Sequence, residues 1–207
     1  MNKRTISNLL MEQAKDCLSL AIKQRELGDI NKEVQIAINI HLLLGIILEG
    51  IINEIGENCL DAWTLKELEK GSTPLKWRMI SGLKNGFNPS SEPMQTIREI
   101  QKIRNKIAHP KSENQETDTI VISEIGEIKR HLNDEDLLPA GDLKLYIGFE
   151  KLVAEYNARI SLFNMIRVLK AIIEIKELLK LDDKFEWSLL MLKEISEIKI
   201  VKNEFDK

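Results

Sequence analysis

The sequence predicts an all-α fold, and three observations support that prediction. Apolar residues recur at helical spacing over most of the chain. Leu, Ile, Glu and Lys dominate the composition, which suits helices. Ten glycines and five prolines are few for 207 residues. This length is near the upper end for one domain, so residues 1–207 are expected to form a single bundle.

Two long helices are predicted at the start of the chain. Apolar positions mark the first over residues 4–27, and Gly28 lies where a helix-terminating glycine is expected. Asp29 or Asn31 can cap the second helix, which runs to about Leu60. Its middle is apolar nearly all round, which predicts the central helix of a bundle.

Shorter elements follow. Thr64-x-x-Glu67 has the form of a capping box and predicts a short helix that ends near Gly71. Thr73-Pro74 supplies a cap and then a proline at the first helical position, so a second short helix is predicted over 75–80. Glycine, asparagine and proline in residues 81–92 predict a loop.

Residues 92–109 are predicted to form a helix with isoleucines on its buried side: Ile97, Ile100, Ile103 and Ile107. Residues 110–119 are predicted to be a polar loop. Residues 119–123 fit one very short β segment, which is too little to make a sheet. Residues 124–138 have a weak helical pattern.

The C-terminal part of the chain completes the predicted bundle. Residues 142–180 are strongly helical, a pattern that one long helix would satisfy. Residues 185–201 fit either a helix or an edge strand. The helices within 142–201 are therefore expected to pack against those of the first half.

Cys17 and Cys59 are the only cysteines and have no metal-type spacing, so a cytoplasmic location is expected. No apolar signal core follows residues 1–4. The most apolar stretch, 36–52, contains polar residues and is short for a membrane span, so a buried helix and no membrane partner are expected. Because no cluster of metal ligands or phosphate-binding glycine loop occurs, no metal or cofactor is expected.

The formal net charge of −3 argues against a protein coated with positive charge for nucleic acid. The charge is uneven, however. Five basic residues stand against one acidic residue between positions 98 and 111, a local excess of four positive charges: Arg98, Lys102, Arg104, Lys106 and Lys111 against Glu99. Such a strip attracts a polyanion even though the whole chain is acidic.

The most informative run extends from Ile103 to Pro110. Arg104 precedes His109 by five residues, and Asn105 follows the arginine directly. Pro110 disfavours helical geometry for the residue before it, so the helix is predicted to stop at His109. A guanidinium, an amide and an imidazole at one helix end can hold a phosphate and transfer a proton beside it.

Residues five apart on a helix are separated by about 140°, so Arg104 and His109 do not share one narrow face. The long arginine can still bend toward the histidine. If two copies meet head to head, both motifs line one cleft, which favours a site at a twofold interface. The residue types alone fit a structural role better: a helix C-cap for His109, and a surface ion pair of Arg104 with Glu99 or Glu113.

Neighbouring sequence reverses that preference. The hexapeptide Arg104-Asn105-Lys106-Ile107-Ala108-His109 resembles the Arg-x-x-x-x-His motif of the HEPN domain family (higher eukaryotes and prokaryotes nucleotide-binding), in which Asn often follows the arginine. Leu48–Ile55 resembles the other core helix of that family, with its glutamate, apolar pair and Asn. The span from Trp63 to Lys76-Trp77 resembles a subgroup with a Lys-Trp pair ahead of the motif helix. The resemblance covers residues 30–111.

The resemblance implies a HEPN-like helical bundle that forms a homodimer, with the two motifs facing each other across a cleft. Many members are metal-independent endoribonucleases that serve as toxins or antiphage effectors. The implied partners are therefore RNA and an antitoxin or another component of a defence system. Other members are noncatalytic and bind RNA or a protein, which is the alternative function. Lys111 stands where one subgroup carries a modified tyrosine, so control by adenylylation is not expected.

The implied reaction is attack by the 2′-hydroxyl of RNA on the adjacent phosphorus, which leaves a 2′,3′-cyclic phosphate and needs no metal. His109 would transfer a proton, and Arg104 would hold the phosphate. Asn105 would orient His109 or donate to a phosphate oxygen. Candidate RNA contacts are Lys102, Lys106, Lys111 and Trp77, although solvated charges and core packing are the commoner uses of such residues.

Glu49 and Asn53 lie one turn apart on the long apolar helix, and each has two interpretations. They can position Arg104 or His109, or they can make a structural hydrogen bond to another helix, since an unpaired buried carboxylate is costly. His41 lies in the same apolar run and is interpreted as a core histidine with satisfied hydrogen bonds.

Overall fold

The computed structural model describes residues 5–82, 88, 90–109, 151–181 and 185–200. Within these ranges it contains seven helices and no strand, so the all-α prediction is confirmed there. In chain order the helices are α1 Ile6–Glu26, α2 Ile30–Cys59, α3 Ala62–Glu69, α4 Thr73–Gly82, α5 Glu92–Ala108, α6 Ala158–Leu179 and α7 Trp187–Ser196. Residues 151–155 are also helical. The predicted elements within 110–138, including the short β segment at 119–123, lie outside the described residues.

α2 is the central helix, as its nearly continuous apolar surface predicts. It contacts α1, α3, α4, α5 and α6. Asp29 caps it by accepting a hydrogen bond from the backbone N–H of Lys32 at 3.1 Å. Every helix contributes to one buried apolar cluster around α2. Burial of each Leu or Ile side chain in such a cluster stabilises the fold by about 1.5–3 kcal/mol.

α2 is also long and apolar enough to cross a membrane, judged only by the length and composition of Ile30–Glu57. It is the one such helix in the part of the chain that the structure describes. Half of its most apolar window is buried inside the protein. Because the core helix of a soluble protein passes the same test, this finding is weak evidence for a membrane span.

Two helices in the first half have boundaries that differ from the prediction. α3 begins after Asp61, whose Oδ1 accepts hydrogen bonds from the backbone N–H groups of Trp63 and Thr64 at 3.0 Å. Thr64 is therefore the third residue of this helix and not its cap. α4 begins at Thr73, the residue predicted as its cap, and continues through Gly82, into the stretch predicted as a loop. Buried side chains continue to the end of α4, since Ile80 and Ser81 are both buried in the core.

The expectation of one long helix over 142–180 is wrong for its described part. The chain leaves helical geometry at Tyr156 and Asn157, and Asn157 caps α6 by accepting a hydrogen bond from the N–H of Ile160 at 3.0 Å. Residues 142–150 lie outside the described residues. Further on, α7 settles the ambiguous segment 185–201 as helical over its first part.

A buried ion pair anchors the start of α6. Glu33 on α2 pairs with Arg25 on α1 at 2.9 Å, and both side chains are almost fully buried. The same oxygen, Glu33 Oε1, accepts a hydrogen bond from the backbone N–H of Ala158 at 2.9 Å. Three helices therefore meet at one carboxylate, which satisfies an otherwise orphaned amide at the N-terminus of α6.

α5 runs antiparallel to α2. The buried Gln101 donates from Nε2 to the carbonyl oxygen of Gly45 at 2.7 Å. Further along α5, Ile107 packs in a second apolar cluster with Ile30 and Val34, near the start of α2. Residues later in α5 therefore lie beside residues earlier in α2.

His41 is fully buried where α2 meets α6, as predicted. Its Nδ1–H donates to the carbonyl oxygen of Ala37 at 2.7 Å, so its Nε2 accepts from the amide nitrogen of Asn164 at 3.0 Å. The ring of Tyr156 meets the imidazole edge to face, with the centroids 5.5 Å apart. Burial lowers the pKa of His41, and the hydrogen bond to Ala37 opposes this effect only in part.

This burial makes the stability of the fold depend on pH. Because the pKa of His41 is lower in the folded chain than the value of about 6.5 in an unfolded one, the unfolded chain binds more protons as the pH falls. The stability contributed by neutral His41 is complete above about pH 6.5 and is lost as the pH falls toward the folded pKa.

We expect the free energy of unfolding in urea to decrease between about pH 7 and about pH 5.5, and to decrease less in His41→Gln. Equal slopes for His41→Gln and the parent protein would contradict this assignment.

Candidate functional site

Arg104 lies on the side of α5 that packs against α2. An ideal Cβ built on Gly45 would lie 2.5 Å from Cγ of Arg104 and 2.7 Å from its Cβ, so the arginine stem crosses α2 at a residue without a side chain. The guanidinium extends beyond this crossing, and its Nη1 donates to Oδ1 of the exposed Asn105 at 3.0 Å. The structure therefore brings two of the three predicted catalytic residues into direct contact.

His109 is the C-cap of α5, at the position where the following proline predicts the end of the helix. Its backbone N–H donates to the carbonyl oxygen of Asn105 at 2.9 Å, and its side chain is exposed. Within the described ranges, no hydrogen bond joins the imidazole to Arg104 or to Asn105. Arg104 and Asn105 are therefore in contact, whereas the side chain of His109 lies apart from them.

The exposed side of α5 is basic. Lys102, Asn105 and His109 are all exposed, and their spacing of three and four residues places them on one stripe of the helix. The acidic residue of the strip, Glu99, is paired with Arg167 on α6 at 2.7 Å. Glu99, one turn before Lys102 on the same helix, is therefore engaged by α6.

The other predicted RNA contacts differ in their surroundings. Lys106 pairs with Glu155 at 2.9 Å, although its side chain remains mostly exposed. Lys111 lies outside the described residues. Lys102 is therefore the better placed of the two described lysines to meet a phosphate, because a surface ion pair competes for Lys106.

Glu49 and Asn53 both contact Lys76 on α4. The buried Lys76 donates from Nζ to Oδ1 of Asn53 at 3.0 Å, and the same nitrogen lies 3.9 Å from Oε1 of Glu49, an ion pair without a hydrogen bond. Glu49 lies one turn after Gly45 on α2, the residue on which Arg104 packs. Because α5 runs antiparallel to α2, His109 lies toward the start of α2, in the direction away from Glu49. The structural interpretation of Asn53 therefore has direct support, and Glu49 is placed closer to Arg104 than to His109.

The expectation that Trp77 stacks on RNA bases is wrong. The indole is fully buried, and its Nε1–H donates to the carbonyl oxygen of Leu48 at 3.0 Å. Trp63, in contrast, is 74% exposed at the start of α3. Both residues precede the motif in short helices, and the sequence alone did not distinguish the buried tryptophan from the exposed one.

Three residues at the site were not predicted. Gln101 and Gly45 hold α5 against α2, and Lys76 occupies the space beside Glu49 and Asn53. A signal for Gln101 exists, since it is a polar residue next to Ile100 on the apolar side of α5. No comparable signal marks Gly45, because small residues are common in apolar helices.

The rest of the described chain offers no competing centre. No group of His, Cys, Asp and Glu among the described residues could hold a metal ion. A cavity of about 290 Å³ lies between α1 and α7, beside Lys15 and Trp187, and does not include the motif. The candidate site is therefore an open surface of α5 at the edge of α2.

No protein-family model, curated protein or solved structure matches this chain. The fold and the site define an all-α helical bundle with an arginine, an asparagine and a histidine at the end of a basic helix. Its relation to the HEPN family remains a prediction that depends on the residues themselves.

The different roles of Trp77 and Trp63 can be tested by stability. Trp77→Ala removes a fully buried ring and its hydrogen bond, so we expect urea unfolding to give a loss of about 3–5 kcal/mol. Trp63→Ala is the matched control and should change stability by less than about 0.5 kcal/mol, because its ring is exposed. A Trp77→Ala protein with parental stability and weakened RNA binding would instead restore the stacking hypothesis.

Proposed function

We propose that this chain is a metal-independent endoribonuclease of the HEPN type. It cuts RNA to leave a 2′,3′-cyclic phosphate and serves as a toxin or antiphage effector in the cytoplasm. The observation that carries this proposal is the contact of Arg104 with Asn105 beside the exposed His109, at the end of one basic helix. The resemblance of the hexapeptide supplies the class of reaction.

The residues fit the needs of that reaction. One of the five N–H donors of the Arg104 guanidinium contacts Asn105, and the others suit the nonbridging oxygens of a phosphate. As the bond from the 2′-oxygen to phosphorus forms, a base removes the 2′-hydroxyl proton. As the bond from phosphorus to the 5′-oxygen breaks, an acid gives that oxygen a proton. An imidazole such as His109 can act in either step.

A homodimer supplies the second proton-transfer group. The attacking and leaving oxygens lie on opposite sides of phosphorus, so one imidazole does not reach both at once. In the proposed dimer the two copies of His109 divide the roles of acid and base. Ile46, next to Gly45 on α2, is 43% exposed and gives this face an apolar residue for contact between protomers. An antitoxin or another defence component is the further proposed partner.

A noncatalytic module that binds RNA or a protein is the second candidate. The observation that favours it is the exposed His109 side chain, which has no hydrogen bond to the rest of the motif within the described residues. Such a module would bind RNA through the basic stripe of α5 without breaking it.

RNA cleavage separates the two candidates. We expect the parent protein to cut mixed RNA in the presence of EDTA and to leave cyclic-phosphate ends, because no metal takes part. Arg104→Ala and His109→Ala should each lower the rate by at least about 100-fold with unchanged helicity, since each removes a group that acts in the transition state. The measurement is cleavage by gel, with end-group analysis and circular dichroism. RNA that is bound but left uncut by every protein would support the noncatalytic module, and equal cleavage by all three would remove the motif from the site.

Salt dependence tests the basic stripe. If Lys102 contacts a phosphate, Lys102→Ala should reduce the slope of log Kobs against log salt by about 0.7. Binding of a short single-stranded RNA can be followed by fluorescence anisotropy over a salt series. Lys193→Ala is the control, because Lys193 is an exposed lysine on α7, which packs against α6 and α1. If both variants keep the parent slope, Lys102 is not an RNA contact.

A further inference from the structure

We infer that Gly45 and Gln101 are positioning residues that fix where the Arg104 guanidinium lies. Neither residue belongs to the Arg-x-x-x-x-His motif. The catalytic consequence of this inference rests on the proposed function, whereas its structural basis is the packing of α5 on α2.

Gly45 sets the distance between the two helices. The atoms that crowd its missing side chain are Cβ and Cγ of Arg104, at 2.7 Å and 2.5 Å from an ideal Cβ. These atoms are at the base of the arginine, so rotation of the guanidinium end does not relieve the crowding. An added methyl group would therefore have to push α5 away from α2 or turn the whole arginine.

Gln101 sets the register between the same helices. Its buried amide donates to the carbonyl oxygen of Gly45 at 2.7 Å, one turn before Arg104 on the same side of α5. Sliding or rotating α5 would break this hydrogen bond and leave a buried amide without its acceptor. The steric contact and the hydrogen bond therefore act on one residue of α2 and together determine the position of the arginine stem.

An arginine fixed along its stem suits phosphate binding in a transition state. Surface arginines sample many rotamers, and that freedom is lost when they bind a ligand. Here the stem is held by α2, and the guanidinium is held by Asn105 at 3.0 Å. The side chain is therefore ordered before RNA arrives, which is the preorganisation that transition-state stabilisation requires.

Kinetic analysis of variants tests the inference. We expect Gly45→Ala to lower kcat for RNA cleavage by about 100-fold, the loss that a misplacement of about 1 Å can cause, with a smaller change in KM. Gln101→Met keeps the length of the side chain but cannot donate, and it should lower kcat in the same direction. In an Arg104→Ala background neither substitution should lower the residual rate further, because the group that they position is gone.

Gly50→Ala is the matched control on the same helix. Its added Cβ would lie 2.8 Å from Oγ of Ser7 on α1, so the crowding is on the side of α2 that faces α1 and not α5. This substitution should therefore leave kcat unchanged. A folded Gly45→Ala protein with the parent kcat would overturn the inference. Equal losses of rate with and without Arg104 would overturn it as well.

Urea unfolding distinguishes failure of this inference from failure of the proposed function. Gly45→Ala should lower the unfolding midpoint in the parent and lower it less in Arg104→Gly, since Cβ and Cγ of the arginine are then both absent. If the parent cuts no RNA, the proposed function is wrong, and a smaller loss in the Arg104→Gly background still supports the positioning. Equal losses of the midpoint in both backgrounds would refute it.

Discussion

The close approach of α5 to α2 at Gly45 is the constraint on which the candidate site depends. Helices are stiff, so one tight crossing with a defined register fixes the residues of α5 that lie at that crossing. The missing side chain of Gly45 admits the stem of Arg104, and the hydrogen bond from Gln101 prevents α5 from sliding. A change at one glycine of α2 would therefore affect both the core and the position of Arg104.

Buried polar contacts determine which helix packs at each position along α2. Burial of the apolar surface of α2 is favourable, but apolar packing does not fix the position of the neighbouring helices, because it is not directional. Glu33, in contrast, accepts a hydrogen bond from the start of α6, and His41 accepts one from Asn164 on the same helix. Near the other end of α2, Asn53 accepts from Lys76 on α4. These polar residues bind α6 near one end of α2 and α4 near the other, and so these contacts select one arrangement among several that the apolar surface alone would allow.

Local sequence signals predicted the helices and failed where tertiary contacts decide. Periodicity located α1, α2 and α5, and the proline after His109 placed the end of α5 correctly. The predicted cap of α3 was wrong for a local reason, because Asp61, three residues before Thr64, caps the helix instead. For Trp77 the sequence left core packing and base stacking open, since its partner, the carbonyl oxygen of Leu48, is far away in sequence. The motif gave the identity of the candidate residues, whereas their contacts depend on residues that carry no motif.

Arg104 and His109 are prepared to different degrees, and this difference bears on how the proposed activity would be controlled. The stem of Arg104 packs on Gly45 of α2 and its guanidinium contacts Asn105, whereas the imidazole of His109 lies exposed at the end of α5. Charge stabilisation would therefore be built into each protomer, but proton transfer would require groups that only assembly or RNA brings together. In the proposed dimer such a site would be inactive until pairing completes it. In a ribonuclease that harms its own cell, the last catalytic contact would then form only when two protomers pair. Control of dimer assembly would be enough to control cleavage, and the arginine would not have to be unfolded or blocked.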